Sequence, residues 1–255
     1  MRIENSFIPV EGVGETTEQK LWRNGITHWN EFERGIVGET TSERIASFID
    51  TARTRLDAGD SRFFDDIFPS SHQWRLYENF HDDACFFDIE TTGLSQTNNK
   101  VTTVSIHQSG ETRTFVNDAA PGVGEPLTSD VIQETISTAP LLVTFNGKRF
   151  DVPFLETAFD ISIDAPHIDL MYPCRQLGLS GGLKQIEQDI GIGRDQPDIT
   201  GRDAVRLWRQ YESGDEDALS TLISYNRDDT VNLRTLMEHV SNTLHEDVFA
   251  SVCQS

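Results

Sequence analysis

Lysine is nearly missing from this chain of 255 residues: there are four, Lys20, Lys100, Lys148 and Lys184, and the rest of its 21 basic residues are arginine. Cysteine is scarce too. Cys85, Cys174 and Cys253 are odd in number, far apart and form no CxxC pair, which argues against a disulfide framework and against a cysteine-ligated metal. No apolar run approaches the ~18 residues that a membrane span needs. The opening MRIENSFIPVEG has no apolar core of the kind a secretory signal carries. Internal repeats and low-complexity segments are also lacking. These absences lead us to expect a soluble, cytoplasmic protein with no membrane partner.

What the chain has in excess is acid: 42 Asp and Glu against 21 Lys and Arg, a formal charge of −21. An acidic surface stripped of lysine reads as adaptation to a salt-rich cytoplasm, as in halophilic archaea. Such a charge would ordinarily speak against a nucleic-acid partner. At molar salt the Debye length falls to about 3 Å, and the repulsion no longer excludes one.

The pattern divides the chain into residues 1–80, 81–242 and a tail, 243–255. The first part is expected to be helical. Thr40 and Glu43 form a capping-box pair, Ile45, Phe48, Ile49, Ala52 and Leu56 make one apolar stripe, and Gly59 follows, so a helix is predicted over about 41–58. Residues 61–83, rich in aromatics and interrupted by Pro69, read as a packed connector. The second part reads as α/β: a mixed sheet covered by helices. Strands are predicted at 84–90, 100–107, 111–116, 141–145 and 167–170, the second and third joined through Ser109-Gly110 as a hairpin. Helices are predicted near 129–137, 150–159, 183–190, 201–212 and 217–240.

Chemistry concentrates in a few carboxylates. Asp88 and Glu90 flank Ile89 in the first strand and therefore share a face. With so many acids, acid-x-acid pairs arise by chance roughly seven times; this one is notable because its strand is otherwise uncharged, where charge is costly without a cation. That points to a hard divalent ion such as Mg²⁺. Asp151 follows the strand at 141–145, where a helix begins, a position the helix dipole also favours. In YNRDD, Tyr225 and Asp229 are spaced i, i+4 and share a helix face. Leu222, Tyr225, Asp229, Leu233, Leu236 and Val240 form one stripe, so Asp229 interrupts an apolar face while Asp228 lies off it and is expected to be a solvated charge. His167 and Asp169 are expected to be structural, and Lys184 a solvated surface residue.

FFDIETTGL, NGKRFDVPF and YNRDD resemble, in order and spacing, the three motifs of the DEDD superfamily of 3′–5′ exonucleases, in the form with Tyr-x-x-x-Asp in the third motif (DEDDy). The likeness runs over about 85–237, takes in HIDLMYPCR and LSGGLKQIE, and is closest to the YprB-like predicted exonucleases. It implies an RNase H-like fold with a five-stranded mixed sheet, and two divalent cations, Mg²⁺ or Mn²⁺. By motif, Asp88, Glu90 and Asp229 would hold one ion and Asp88 with Asp151 the other. Tyr225 would orient the attacking water, and Thr91, Asn146 and Phe150 would grip the terminal nucleotide of single-stranded DNA or RNA. FIPVEGVGETTEQKLW resembles a helix-hairpin-helix unit, whose hairpin can turn backbone N–H groups toward a phosphate. A structure-selective endonuclease and a catalytically silent nucleic-acid-binding module are the competing functions.

The charge imbalance has a direct consequence. Like-charge repulsion strains the compact state in dilute buffer, and concentrated KCl screens it and modestly strengthens apolar burial. The melting temperature is expected to rise from ~0.1 M toward molar KCl; a thermal melt that is highest at the low-salt end contradicts the halophile reading.

Overall fold

A computed structural model describes residues 1–119 and 124–254. The chain forms two compact units, Met1–His81 together with the residues from Glu238 onward, and Asp82–Met237.

In the first unit α1 (Glu15–Arg23), α2 (Glu39–Asp57), α3 (Ser61–Ile67) and the short α4 (Tyr77–Phe80) enclose buried Trp22, Trp29, Ile45, Ile49 and Phe64. α2 begins two residues before the predicted start, behind Gly38, so Thr40 lies inside it and the Thr40–Glu43 box is not its cap; Gly59, at φ +68°, follows its end as expected. Ahead of the Val10–Gly14 hairpin stands a single 3₁₀ turn, Ile3–Asn5, in place of a helix, so the helix-hairpin-helix unit is not completed. A buried carboxylate ties this entry segment down. Glu18 Oε1 accepts hydrogen bonds from the N–H groups of Phe7 and Ile8 and from the Ser6 hydroxyl, and it pairs with buried Arg75. The segment expected as a tail is helical, and Phe249 packs edge-on against Trp22, 5.1 Å between ring centres; its last residue, Ser255, lies outside the described residues.

The second unit holds a sheet in the order β4-β3-β2-β1-β5-β6, from β1 (Cys85–Thr91), β2 (Val101–Gln108), β3 (Glu111–Val116), β4 (Glu125–Pro126), β5 (Leu142–Thr144) and β6 (His167–Asp169). β1, β2 and β3 are antiparallel neighbours; β4, β5 and β6 join in parallel. The sheet is mixed, as expected, with six strands where five were expected. The addition is a two-residue strand pairing Glu125 with Phe115 and Pro126 with Val116, too short to carry any period-2 signal. Its helices are α5 (Ser129–Thr135), α6 (Asp151–Phe159), α7 (Met171–Gln176), α8 (Leu183–Ile190), α9 (Gly201–Glu212) and α10 (Glu216–His245), the last running on into the first unit's residues. Among the described residues, no helix is long and apolar enough to cross a membrane.

The alternation of β1 separates structure from chemistry. Cys85, Phe87 and Ile89 face an apolar core with Ile132 of α5, Ile136 just past its end, and Phe154 and Leu155 of α6. The other face carries Asp88 and Glu90 and meets α10, where Asn226 bonds Asp88 and Thr103, and the Thr230 hydroxyl donates to the Ser105 carbonyl. α10 is also held by Leu207 and Trp208 of α9, which pack with its Leu219, Leu222 and Tyr225.

The turn leaving β5 is built for close approach. The Gly147 N–H donates to the Thr144 hydroxyl at 3.1 Å, and a Cβ on Gly147 would lie 2.2 Å from that oxygen. Asn146 there adopts φ +65°, with its N–H on Asp169 Oδ1 at 2.7 Å. Gly147→Ala is expected to cost about 1–3 kcal/mol, as an overpacked turn does, measured by urea denaturation against wild type.

Candidate active site

The strand, the helix entry and the last helix bring the expected acids together. One oxygen each from Asp88, Glu90 and Asp229 lies within 4.8 Å of the others, the one such acidic cluster among the described residues. Asp88 is oriented by Asn226, whose Nδ2 donates to Asp88 Oδ2 at 2.7 Å, while the Thr103 hydroxyl donates to Asn226 Oδ1 at 2.9 Å. Glu90 sits at a β-bulge: it pairs with Thr103, but Thr91 pairs with Val101. A bulge re-aims side chains at a strand end.

Asp151 is placed by a missing strand partner. β5 pairs with β1 only through Cys85 and Phe86, so the N–H of Ile89 lies beyond that ladder, and it donates to Asp151 Oδ1 at 3.2 Å. The first carboxylate of α6 thus joins the end of β1 and comes near enough to act on the charges of Asp88 and Glu90.

So many carboxylates in so little water hold protons tightly. Burial, then the charges of Asp229, Asp151 and Glu90, push Asp88 well above the ordinary carboxylate range, against the hydrogen bond from Asn226. Glu90 is pushed well up by burial and by Asp229 and Asp151, with Arg194 opposing. Burial raises Asp151 to about 7 despite the N–H of Ile89, and raises Asp229 to about 6 against the pull of Arg194. The Tyr225 hydroxyl is raised by burial and by Asp229, Glu90 and Asp88, so it stays protonated at neutral pH.

Arg194 was invisible in the sequence. Its loop has no periodicity, and only folding sets it on the acids. Nη2 meets Asp229 Oδ1 at 2.5 Å, Nε donates to Glu187 Oε2, and the guanidinium carbon lies 6.0 Å from the centre of the Tyr225 ring. Asn226 was likewise missed as a site residue, although it follows Tyr225 directly in the chain.

The three residues expected to contact substrate are distributed around the acids. Thr91 is buried and its hydroxyl donates to the Gly93 carbonyl at 2.7 Å; Phe150 meets the Phe154 ring at a tilt, 5.1 Å between centres, and packs against the core. Both line a cleft of about 700 Å³ with Glu90, Leu94, Thr200 and Arg202. Leu94 is 86% exposed. Asn146 is not among the lining residues of that cleft, and its backbone is fixed by Asp169.

Two expectations need correction. Asp228 is not simply solvated: its Oδ2 accepts the N–H of Gln196 at 2.9 Å. Lys184 donates to the Ile199 carbonyl at 2.9 Å. Both fasten the segment between α8 and α9, which no periodic pattern marks. His167 bonds Thr144 at 2.8 Å and is held neutral by burial, its pKa lowered to about 3, and Asp169 accepts the N–H groups of Asn146, Lys148 and Met171.

The donor set suits a hard divalent cation. All three clustered groups offer carboxylate oxygen, their mutual repulsion calls for positive charge, and Arg194 supplies only one unit of it.

The raised carboxyls make a stability prediction. An acid whose folded pKa exceeds its unfolded value destabilises the fold above that folded pKa, and the penalty fades as pH falls through it. For Asp151, raised to about 7 from the ordinary value of 3.8, Asp151→Asn is expected to melt higher than wild type at about pH 8 in EDTA, with the gap narrowing steadily as pH falls from about 7 toward about 4. Thermal melts across that range check it; a gap that widens toward acid reverses the sign.

A sequence model of the RNase_H superfamily matches residues 85–241. Similar solved structures include an "apo form of the nuclease" at 18% identity, covering 67% of this chain and 79% of that one, with a TM-score of 0.46. Brucella melitensis NrnC with bound Mg²⁺ is similar at 16% identity over 69% of this chain and 83% of that one, TM-score 0.43. The family B DNA polymerase of the hyperthermophilic archaeon Pyrobaculum calidifontis is similar at 17% identity over 63% and 24%, TM-score 0.47. No curated protein sequence matches the chain.

Proposed function

The chain belongs to the RNase H superfamily, and on that premise we propose that it is a metal-dependent 3′–5′ exonuclease of the DEDDy type, similar to the YprB-like enzymes and working in a salt-rich, haloarchaeal cytoplasm. Its substrate is the single-stranded end of DNA or RNA. The observation that carries the reading is the convergence of Asp88, Glu90 and Asp229 within 4.8 Å, with Tyr225 one turn from Asp229 on α10. Glu90 also borders the 700 Å³ cleft, a volume in the range of small-ligand sites, which suits a chain end better than a duplex.

Asp88, Glu90 and Asp229 would hold one cation, and Asp88 with Asp151 would hold the second. When bound, such a pair lowers the pKa of a water and stabilises the leaving 3′ oxygen. The protein's own groups do the rest. Asn226 fixes the Asp88 carboxylate, and the N–H of Ile89 fixes that of Asp151. Tyr225, one turn from Asp229 on α10, orients the attacking water through its hydroxyl. Leu94 and Phe150 offer apolar surface to the terminal base, Thr91 and Arg202 polar contacts to sugar and phosphate, and Asn146 a further polar contact from the turn beside Asp151.

The test uses labelled DNA and RNA strands, with free or blocked 3′ ends, in Mg²⁺ or Mn²⁺. Free strands are expected to shorten stepwise from the 3′ end and blocked strands to survive. Internal cuts in blocked strands would make the protein an endonuclease, and no metal-dependent turnover would make it a silent binding module. Asp88→Asn should abolish hydrolysis while retaining strand binding. Tyr225→Phe should slow it by about 10²-fold, the cost of a misplaced reactant, with metal binding kept. Asp229→Asn should cost far more activity than Asp228→Asn.

A further inference from the structure

The loop between α8 and α9 is fastened to α10 on both sides of Arg194. The Asn232 side chain donates to the Gly193 carbonyl at 3.1 Å, and Asp228 accepts the N–H of Gln196 at 2.9 Å. With its backbone fixed, Arg194 has freedom mainly in its side chain, which is 5% exposed and lies between two carboxylates. Glu187, 1% exposed, takes Nε through Oε2; Asp229 takes Nη2 through Oδ1.

The sharing leaves gaps. Glu187 Oε1 and Arg194 Nη1 are buried without a hydrogen-bond partner among the described residues. A half-satisfied buried ion pair is costly. Nε and Nη2 form one edge of the guanidinium, the edge that meets a single carboxylate side-on in a two-bonded pair. Here that edge is divided: Glu187 receives Nε, and the Nη2 that would complete its pair is spent on Asp229. If Asp229 had another cation, Nη2 could return to Glu187 Oε1 and satisfy it.

We propose that Arg194 is a positioning residue, a built-in counter-cation that holds Asp229 when no metal is bound and is handed back to Glu187 when a divalent cation takes that carboxylate. The idea rests on the metal-site reading above. Metal entry then exchanges one cation for another on Asp229 and completes the Arg194–Glu187 pair, so Asp229 has a cation beside it in both states. Glu187, which touches neither metal nor substrate, sets the metal affinity through how strongly it draws the guanidinium away.

The experiment is a Mn²⁺ titration of the full chain, read by electron paramagnetic resonance. Glu187→Gln removes the charge that draws Arg194 off Asp229, and is expected to weaken Mn²⁺ binding at least tenfold. The double variant Glu187→Gln/Arg194→Gln removes the competing cation as well, and is expected to bind Mn²⁺ at least as tightly as wild type. Equal affinity of Glu187→Gln and wild type, or a double variant weaker than Glu187→Gln, overturns the proposal. In the unmodified protein the Arg194 Nε–H resonance should shift saturably with Mg²⁺; no shift at saturation overturns it even where the variants do not fold. Asp88→Asn in the same titration separates the two ideas. Mn²⁺ affinity unchanged by Asp88→Asn refutes the metal site itself, whereas binding lost in Asp88→Asn but unmoved in Glu187→Gln refutes only the role of Arg194.

Discussion

Four carboxylates gathered at the end of one buried strand repel one another, and most of what surrounds them answers that repulsion. Asp88, Glu90, Asp151 and Asp229 come from two strand positions and two helices, and water is largely excluded around them. Protons, a guanidinium or a metal must offset the charge. All the neighbouring hydrogen bonds point to the same need for fixed geometry: Asn226 on Asp88, the Ile89 N–H on Asp151, Arg194 on Asp229.

The remainder of the unit is a device for holding that cluster still. The odd positions of β1 bury apolar side chains against α5 and α6, which anchors the strand on one side. Its even positions are then forced toward α10, and α10 is clamped by α9 through Trp208 and Leu219. Neither face works alone. An acidic face without the apolar one would not stay in the sheet, and the apolar face alone has no chemistry.

The same constraint raises the Tyr225 hydroxyl above its ordinary pKa. A phenolate beside Asp229, Glu90 and Asp88 would add one more negative charge to a site already short of positive ones. It also explains the choice of arginine for residue 194. A guanidinium presents several donors in a fixed plane and can serve Glu187 and Asp229 together; an ammonium offers no such edge.

Much of this was legible before folding, because it is carried by local spacing. Period-2 placement put Asp88 and Glu90 on one face, i, i+4 spacing put Tyr225 and Asp229 on another, a short apolar run located β1, and the Ser109-Gly110 connection located β2 and β3, each to within one residue. Short or irregular elements escaped: β4 has two residues, α7 has six, and α2 starts ahead of its apparent capping box. The roles of Arg194, Glu187 and Asn226 escaped for a different reason. Arg194 and Asp229 stand far apart in the chain, and nothing in the residues around either one encodes the other. Which residues share a face is a property of a single element's period; which faces meet, and therefore which cation stands against which acid, is decided only when α10 packs against β1 and the loop at 191–200 is fastened to α10.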